Sequence, residues 1–180
     1  MDVPKIFSTE ERLKILRFVA YKTSPLNVNK VASELKISKG LVSKFFDILV
    51  KEDILKRTKN KFLMQDNKNV KAVKIMLNME SFDTRIFKKY IFVKSAGLYG
   101  SFIKGENTEE SDIDLWVLIE KAKDEHLAKL TNELKTKYGN IKPVYLTIEK
   151  LKILKKEDTV FYYSLVFGSI TVYGEKFESI

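Results

Sequence analysis

The 180 residues include no cysteine, a single histidine and three prolines. Without cysteine neither a disulfide framework nor a thiolate metal site can form, and one imidazole cannot build a histidine cluster. Any metal must then be held by carboxylates, which favours a hard cation, Mg²⁺ or Mn²⁺, over zinc. No apolar run approaches the roughly 20 residues that span a bilayer. The opening MDVPKIFSTEER lacks a basic segment followed by an apolar one. No membrane partner is expected, and the chain reads as cytoplasmic. Repeats and low-complexity stretches are missing as well. At 44% hydrophobic residues the composition is that of a packed protein, which excludes general disorder.

The charge is uneven. Lys and Arg outnumber Asp and Glu by 15 to 8 over residues 1–68 and by 6 to 2 over 69–94, whereas 95–180 carries 12 against 14. A basic front end joined to a near-neutral remainder suggests a polyanion-facing module attached to different chemistry. The expected domains are 1–68, a helical connector 69–94, and 95–180.

In the first of these, Ser8 and Glu11 have capping-box spacing ahead of Leu13, Ile15, Leu16, Val19 and Ala20, which predicts a helix to about Tyr21. Ser24-Pro25 breaks it. Asn29 is expected to cap a second helix burying Val31, Ala32 and Leu35. Ser38 caps a third, with Leu41, Val42, Phe45 and Leu49 inward and Lys39, Ser43, Lys44 and Asp47 outward. Ile54–Arg57 and Phe62–Met64 read as strands around a basic turn in which Asn60 tolerates left-handed backbone. This order resembles the winged helix-turn-helix fold over residues 8–66. The resemblance implies double-stranded DNA as partner, with Lys39, Ser43 and Lys44 at the major groove and Arg57, Lys59 and Lys61 on phosphates or a neighbouring groove. A helical protein-interaction module with merely solvated lysines is the competing reading.

In the connector, Val70, Val73, Leu77, Phe82, Ile86 and Tyr90 recur at helical spacing, with a break expected at Asn78 and Ser81. So much apolar surface needs a partner, either the next domain or a second copy of the chain, and a homodimer stays open.

The most informative stretch is the apolar run into Gly100-Ser101, a gap of ten, and Asp112-Ile113-Asp114 flanked by apolar residues. Glycine removes the Cβ that would hold a phosphate off the backbone, and Ser101 adds a hydroxyl beside amide donors. Strand periodicity puts Asp112 and Asp114 on one face, about 7 Å apart, where they can converge on a divalent ion. Like charges so placed ask for a cation.

Strand, Gly-Ser, loop and Asp-x-Asp in that order resemble the DNA polymerase beta nucleotidyltransferase superfamily, and in size its minimal nucleotidyltransferases, over about residues 95–176. The resemblance implies that Gly100 and Ser101 contact a nucleoside triphosphate, with Lys104 either a further phosphate contact or an ordinary exposed lysine, and that Asp112 and Asp114 are the catalytic pair and bind Mg²⁺ or Mn²⁺. Trp116 shares the aspartates' face, as a nucleotide neighbour or a core residue. Active members usually carry a third acid on a later strand. Here that strand, Lys142–Thr147, contains none, and Glu149 beyond it is either a substitute or, as the dipole favours, the first-turn acid of a helix after Thr147. Leu127, Leu130, Leu134 and Tyr138 predict a helix closed by Gly139. His126 beside it reads as a surface residue, and a helix with a final strand, Ser169–Tyr173, is expected to follow.

The expected class is α+β: a winged helix-turn-helix, then a mixed sheet with packed helices. The expected activity is transfer of a nucleoside monophosphate to a hydroxyl acceptor. No further domain for a small substrate, tRNA or primer is expected, so the acceptor is either a protein or presented by a partner, and a toxin protein is one such partner that the resemblance makes possible. The alternative is a DNA-binding regulator or antitoxin-like protein whose second domain turns over little.

Overall fold

The computed structural model of the protein describes residues 1–179. The chain divides into two compact units, one formed by Met1–Leu77 with Gly105–Glu110, the other by Asn78–Lys104 with the residues from Ser111 onward. The class is α+β, as the sequence predicts.

The first unit contains α1 (Val3–Ile6), α2 (Glu10–Val19), α3 (Val28–Leu35), α4 (Lys39–Lys51), the strands β1 (Leu55–Thr58) and β2 (Lys61–Met64), and helix α5 (Lys68–Ser81) as far as Leu77. Short polar side chains set the helix starts. Thr9, in extended backbone, caps α2 by accepting from the Arg12 amide at 3.2 Å. This corrects the expectation for Ser8, whose hydroxyl accepts from the Arg12 guanidinium instead. Asn27 caps α3 by accepting from the Asn29 amide at 2.8 Å, so this helix begins before the expected Asn29. Ser38 caps α4 as predicted.

Ile15, Leu16, Val19, Val31, Ala32, Val42, Phe45, Phe46 and Leu49 share one core with Phe62, Val70, Val73 and Leu77. Phe46 meets Phe62 edge-on at 4.8 Å. Truncating Phe46 to alanine would cost about 3–5 kcal/mol. The hairpin is closed by Lys59-Asn60, and the left-handed residue is Lys59 (φ 53°) rather than Asn60. In a two-residue turn of type II′ the positive φ falls on the first central position. Residues 105–110 are fastened within this unit. Lys22 pairs with Glu109, Lys71 with Glu106, and the buried Lys74 ammonium donates to the Asn107 carbonyl at 2.7 Å. Burial pushes the Lys74 ammonium's pKa down.

The second unit comprises the end of α5, a 3₁₀ turn (Thr84–Lys89), β3 (Val93–Tyr99), α6 (Ser101–Lys104), β4 (Ile113–Ile119), α7 (Asp124–Tyr138), β5 (Ile141–Leu146), α8 (Ile148–Glu157), α9 (Thr159–Gly168), β6 (Ser169–Tyr173) and a final 3₁₀ turn (Phe177–Ser179). Asn78 does not break α5. It lies buried inside the helix and donates its amide to the Phe102 carbonyl at 2.6 Å. The break comes after Ser81, and Asp83 caps the 3₁₀ turn through the Arg85 amide.

The sheet order is β5-β4-β3-β6, with β4 and β5 parallel and the other pairs antiparallel. Alternation along β4 feeds two cores. Leu115 and Val117 join Ile86, Phe87, Leu98, Leu130 and Leu134 on one face. Trp116 and Leu118 join Leu146, Leu151, Leu165 and Phe177 on the other. No helix among the described residues is long and apolar enough to cross a membrane.

Candidate active site

Strand β3 ends at Tyr99, and the chain turns at Gly100 (φ 72°) into α6, which starts at Ser101. Antiparallel pairing sets Tyr99 opposite Asp114, so the turn lies beside that carboxylate. A Cβ on Gly100 would run into Asp114 Oδ2. Glycine therefore does two things here: it takes a backbone conformation that side chains disfavour, and it makes room for the acid.

Asp112 stands immediately before β4 and Asp114 within it. Strand periodicity puts Asp114 and Trp116 on one face of the sheet, and Asp112 precedes the strand close enough for its charge to act on Asp114. At the Trp116 end that face is closed. The indole is fully buried, lies against Gly97 and meets Phe177 edge-on at 5.0 Å. Trp116 is thus a core residue, because α8 and α9 cover this part of the sheet. At the acidic end the carboxylates remain partly exposed. Burial pushes the pKa of Asp114 up, and the negative charge of Asp112 pushes it further. Tyr99, across from Asp114, is also raised, by burial and then by the Asp114 charge.

One cation already occupies the pair. Lys142, at the start of β5, is in parallel register with Asp114 and forms an ion pair with the Asp112 carboxylate. Its own pKa is raised by that hydrogen bond and charge. Sequence reasoning passed over Lys142, because only the β4–β5 register reveals it. The same register locates the missing third acid. The β5 residues sharing the face of Asp114 and Trp116 are Lys142, Val144 and Leu146, and none is acidic. Glu149 lies exposed in the first turn of α8, its pKa lowered by its own backbone amide and by the Thr147 hydroxyl. Lys104 is exposed at the last residue of α6. His126 stacks on Phe92 at 6.1 Å.

Residues 84–178, more than half of the chain, match the family model described as polymerase beta, nucleotidyltransferase. The chain belongs to the polymerase beta nucleotidyltransferase family. Residues 9–57 match the model of the bacterial regulatory proteins of the arsR family, so a helix-turn-helix domain precedes the nucleotidyltransferase domain. No curated protein matched. Among solved structures, similarity extends to a chain of the tri-AMPylated Shewanella oneidensis HEPN toxin in complex with MNT antitoxin. Identity there is 17%, with 58% of this chain and 76% of that chain covered, at a TM-score of 0.38.

The nucleotidyltransferase domain's donor set suits one hard cation completed by substrate phosphates, since Mg²⁺ is commonly held by one or two carboxylates. It does not form a closed protein cage. No group of three or more His, Cys, Asp and Glu able to hold a metal occurs among the described residues.

In the helix-turn-helix domain, Lys39, Ser43 and Lys44 lie exposed along α4, and Lys59 and Lys61 lie exposed at the hairpin. Arg57 is placed differently. Its guanidinium pairs with Asp47 of α4 and stands 5.1 Å from the centre of the Phe62 ring, so an acid on the exposed face of α4 holds it.

Proposed function

We propose that the nucleotidyltransferase domain binds a nucleoside triphosphate with Mg²⁺ and transfers the nucleoside monophosphate to a hydroxyl acceptor, while the helix-turn-helix domain binds double-stranded DNA. The observation carrying this reading is the meeting of the Gly100 turn with Asp114, whose carboxylate feels the charge of Asp112 two residues earlier. In the reaction, the acceptor oxygen bonds to the α-phosphorus, the bond from that phosphorus to the pyrophosphate oxygen breaks, and the hydroxyl proton is released. Asp112 and Asp114 would hold the divalent ion. Bound there, it supplies positive charge against the phosphates and the departing pyrophosphate. Gly100 lets phosphate approach the backbone, Ser101 donates its hydroxyl, and Lys104 lies near enough in the chain to add a charge. The acceptor in this reading is a protein, for which a toxin partner is the leading case. Pairing of two winged helices on a two-fold DNA site would make the chain a homodimer.

A specific observation favours a second reading, a DNA-binding regulator whose nucleotidyltransferase domain binds nucleotide with little turnover. Lys142 and Val144 fill the places on β5 where a further acid would act on the acceptor. Incubation with α-labelled triphosphates, Mg²⁺ and candidate protein acceptors separates the two. Transfer that disappears in Asp112→Ala supports the enzyme. Nucleotide binding that needs Asp112 but gives no transfer supports the regulator, and absence of both rejects the site. Mobility shift of duplex DNA over a salt series tests the front domain, since phosphate contacts make affinity fall steeply with salt.

A further inference from the structure

We propose that Lys142 is the resident counter-ion of the Asp112–Asp114 pair and sets its divalent-ion affinity: its ammonium must leave Asp112 before a metal ion can use both carboxylates. This rests on the reading of the pair as a metal site. Two neighbouring acids repel each other and draw in positive charge. The fold supplies that charge from the neighbouring strand, because parallel register sets Lys142 beside Asp114 and its side chain reaches Asp112. The arrangement is local to β4 and β5 and needs no ligand.

The exchange is easy on structural grounds. The Lys142 side chain is 63% exposed, whereas that of Asp112 is 30% exposed. The ammonium can therefore swing into water on its flexible stem while the carboxylate stays in place. An exposed ion pair of this kind is weak. It raises the metal concentration needed without blocking the site. After exchange, the released ammonium remains at the mouth of the pair, where a triphosphate would present its oxygens. Lysine thus opposes bare metal and favours metal arriving with nucleotide.

The test is Mn²⁺ binding without nucleotide, followed by electron paramagnetic resonance of the free ion, in the full-length protein. A unit charge about 5 Å from a divalent ion, in water-like dielectric and physiological salt, changes affinity about fivefold. Lys142→Gln is expected to tighten Mn²⁺ binding by that factor, Lys142→Glu by more, and Lys142→Arg to leave it near wild type. Circular dichroism confirms that each variant is folded. Equal affinity in wild type and Lys142→Gln, with binding still abolished by Asp112→Ala, would overturn the counter-ion role and leave the metal site standing. Failure of every form to bind Mn²⁺ would overturn both. Tightening in Lys142→Gln without nucleotide transfer in any form would uphold the counter-ion role while removing the enzymatic reading.

Discussion

Replacing Gly100 by alanine separates backbone strain from site geometry. Gly100 has φ 72°, and an added Cβ would collide with the Asp114 carboxylate. Left-handed backbone costs an L-residue about 1–2 kcal/mol, which for a chain of this size lowers Tm by roughly 2–8 °C. The collision itself is with the end of a side chain, so it is relieved by moving the carboxylate rather than by unfolding. Its cost should therefore appear in binding. Displacing one of two ligand groups by about 1 Å is expected to weaken Mn²⁺ and nucleotide binding by about tenfold to a hundredfold. Gly139 is the control: its φ is 69°, but nothing lies within 4 Å of an added Cβ. Gly139, at ψ −102°, lies outside the left-handed helical well, so Gly139→Ala should lose at least as much stability and no affinity. The assays are thermal unfolding and calorimetric titration of both variants. Equal binding by Gly100→Ala and Gly139→Ala would refute the claim that the turn is shaped around Asp114.

Three further outcomes follow from particular groups. Asp114 has a folded-state pKa raised by burial and by Asp112, so its stabilising contribution is present below the unfolded value and is lost as pH rises through the folded one. Asp114→Asn should then raise Tm at neutral pH, with the gain vanishing in acid below the ordinary carboxylate range; a lower neutral Tm would contradict this. Tyr90 donates to Glu133 at 2.7 Å, and burial followed by that bond raises its pKa to about 12. Stability should fall as pH climbs from about 10 towards 12, and Tyr90→Phe should remove this loss while costing about 1 kcal/mol at neutral pH, as read by denaturant unfolding. In the helix-turn-helix domain, Asp47→Ala releases Arg57 and is expected to steepen the plot of log affinity for duplex DNA against log salt by about one unit. An unchanged slope would mean that Arg57 does not reach phosphate.

The turn at Gly100 and the strand that carries Asp114 were legible in the sequence because their geometry is local: one turn and one strand of period two. Fold class and the buried faces of α2 and α4 were legible for the same reason. Caps were less so. Ser8 and Thr9, or Asn27 and Asn29, are chemically alike, and the choice between them depends on which residue has extended backbone where the helix begins. Asn78 looked like a breaker until its amide found the Phe102 carbonyl. What stayed hidden was non-local. The Lys142–Asp112 ion pair depends on the β4–β5 register, the burial of Trp116 on the covering helices, and the anchoring of residues 105–110 on lysines far away in the chain.

The most direct test is anomalous diffraction from crystals grown with Mn²⁺ and a non-hydrolysable nucleoside triphosphate. The expected result is a manganese peak ligated by both Asp112 and Asp114, with phosphate density against the Gly100-Ser101 turn and Lys142 withdrawn from Asp112. Nucleotide bound elsewhere, or a pair still closed by Lys142 with no manganese on it, would contradict the assignment of this site.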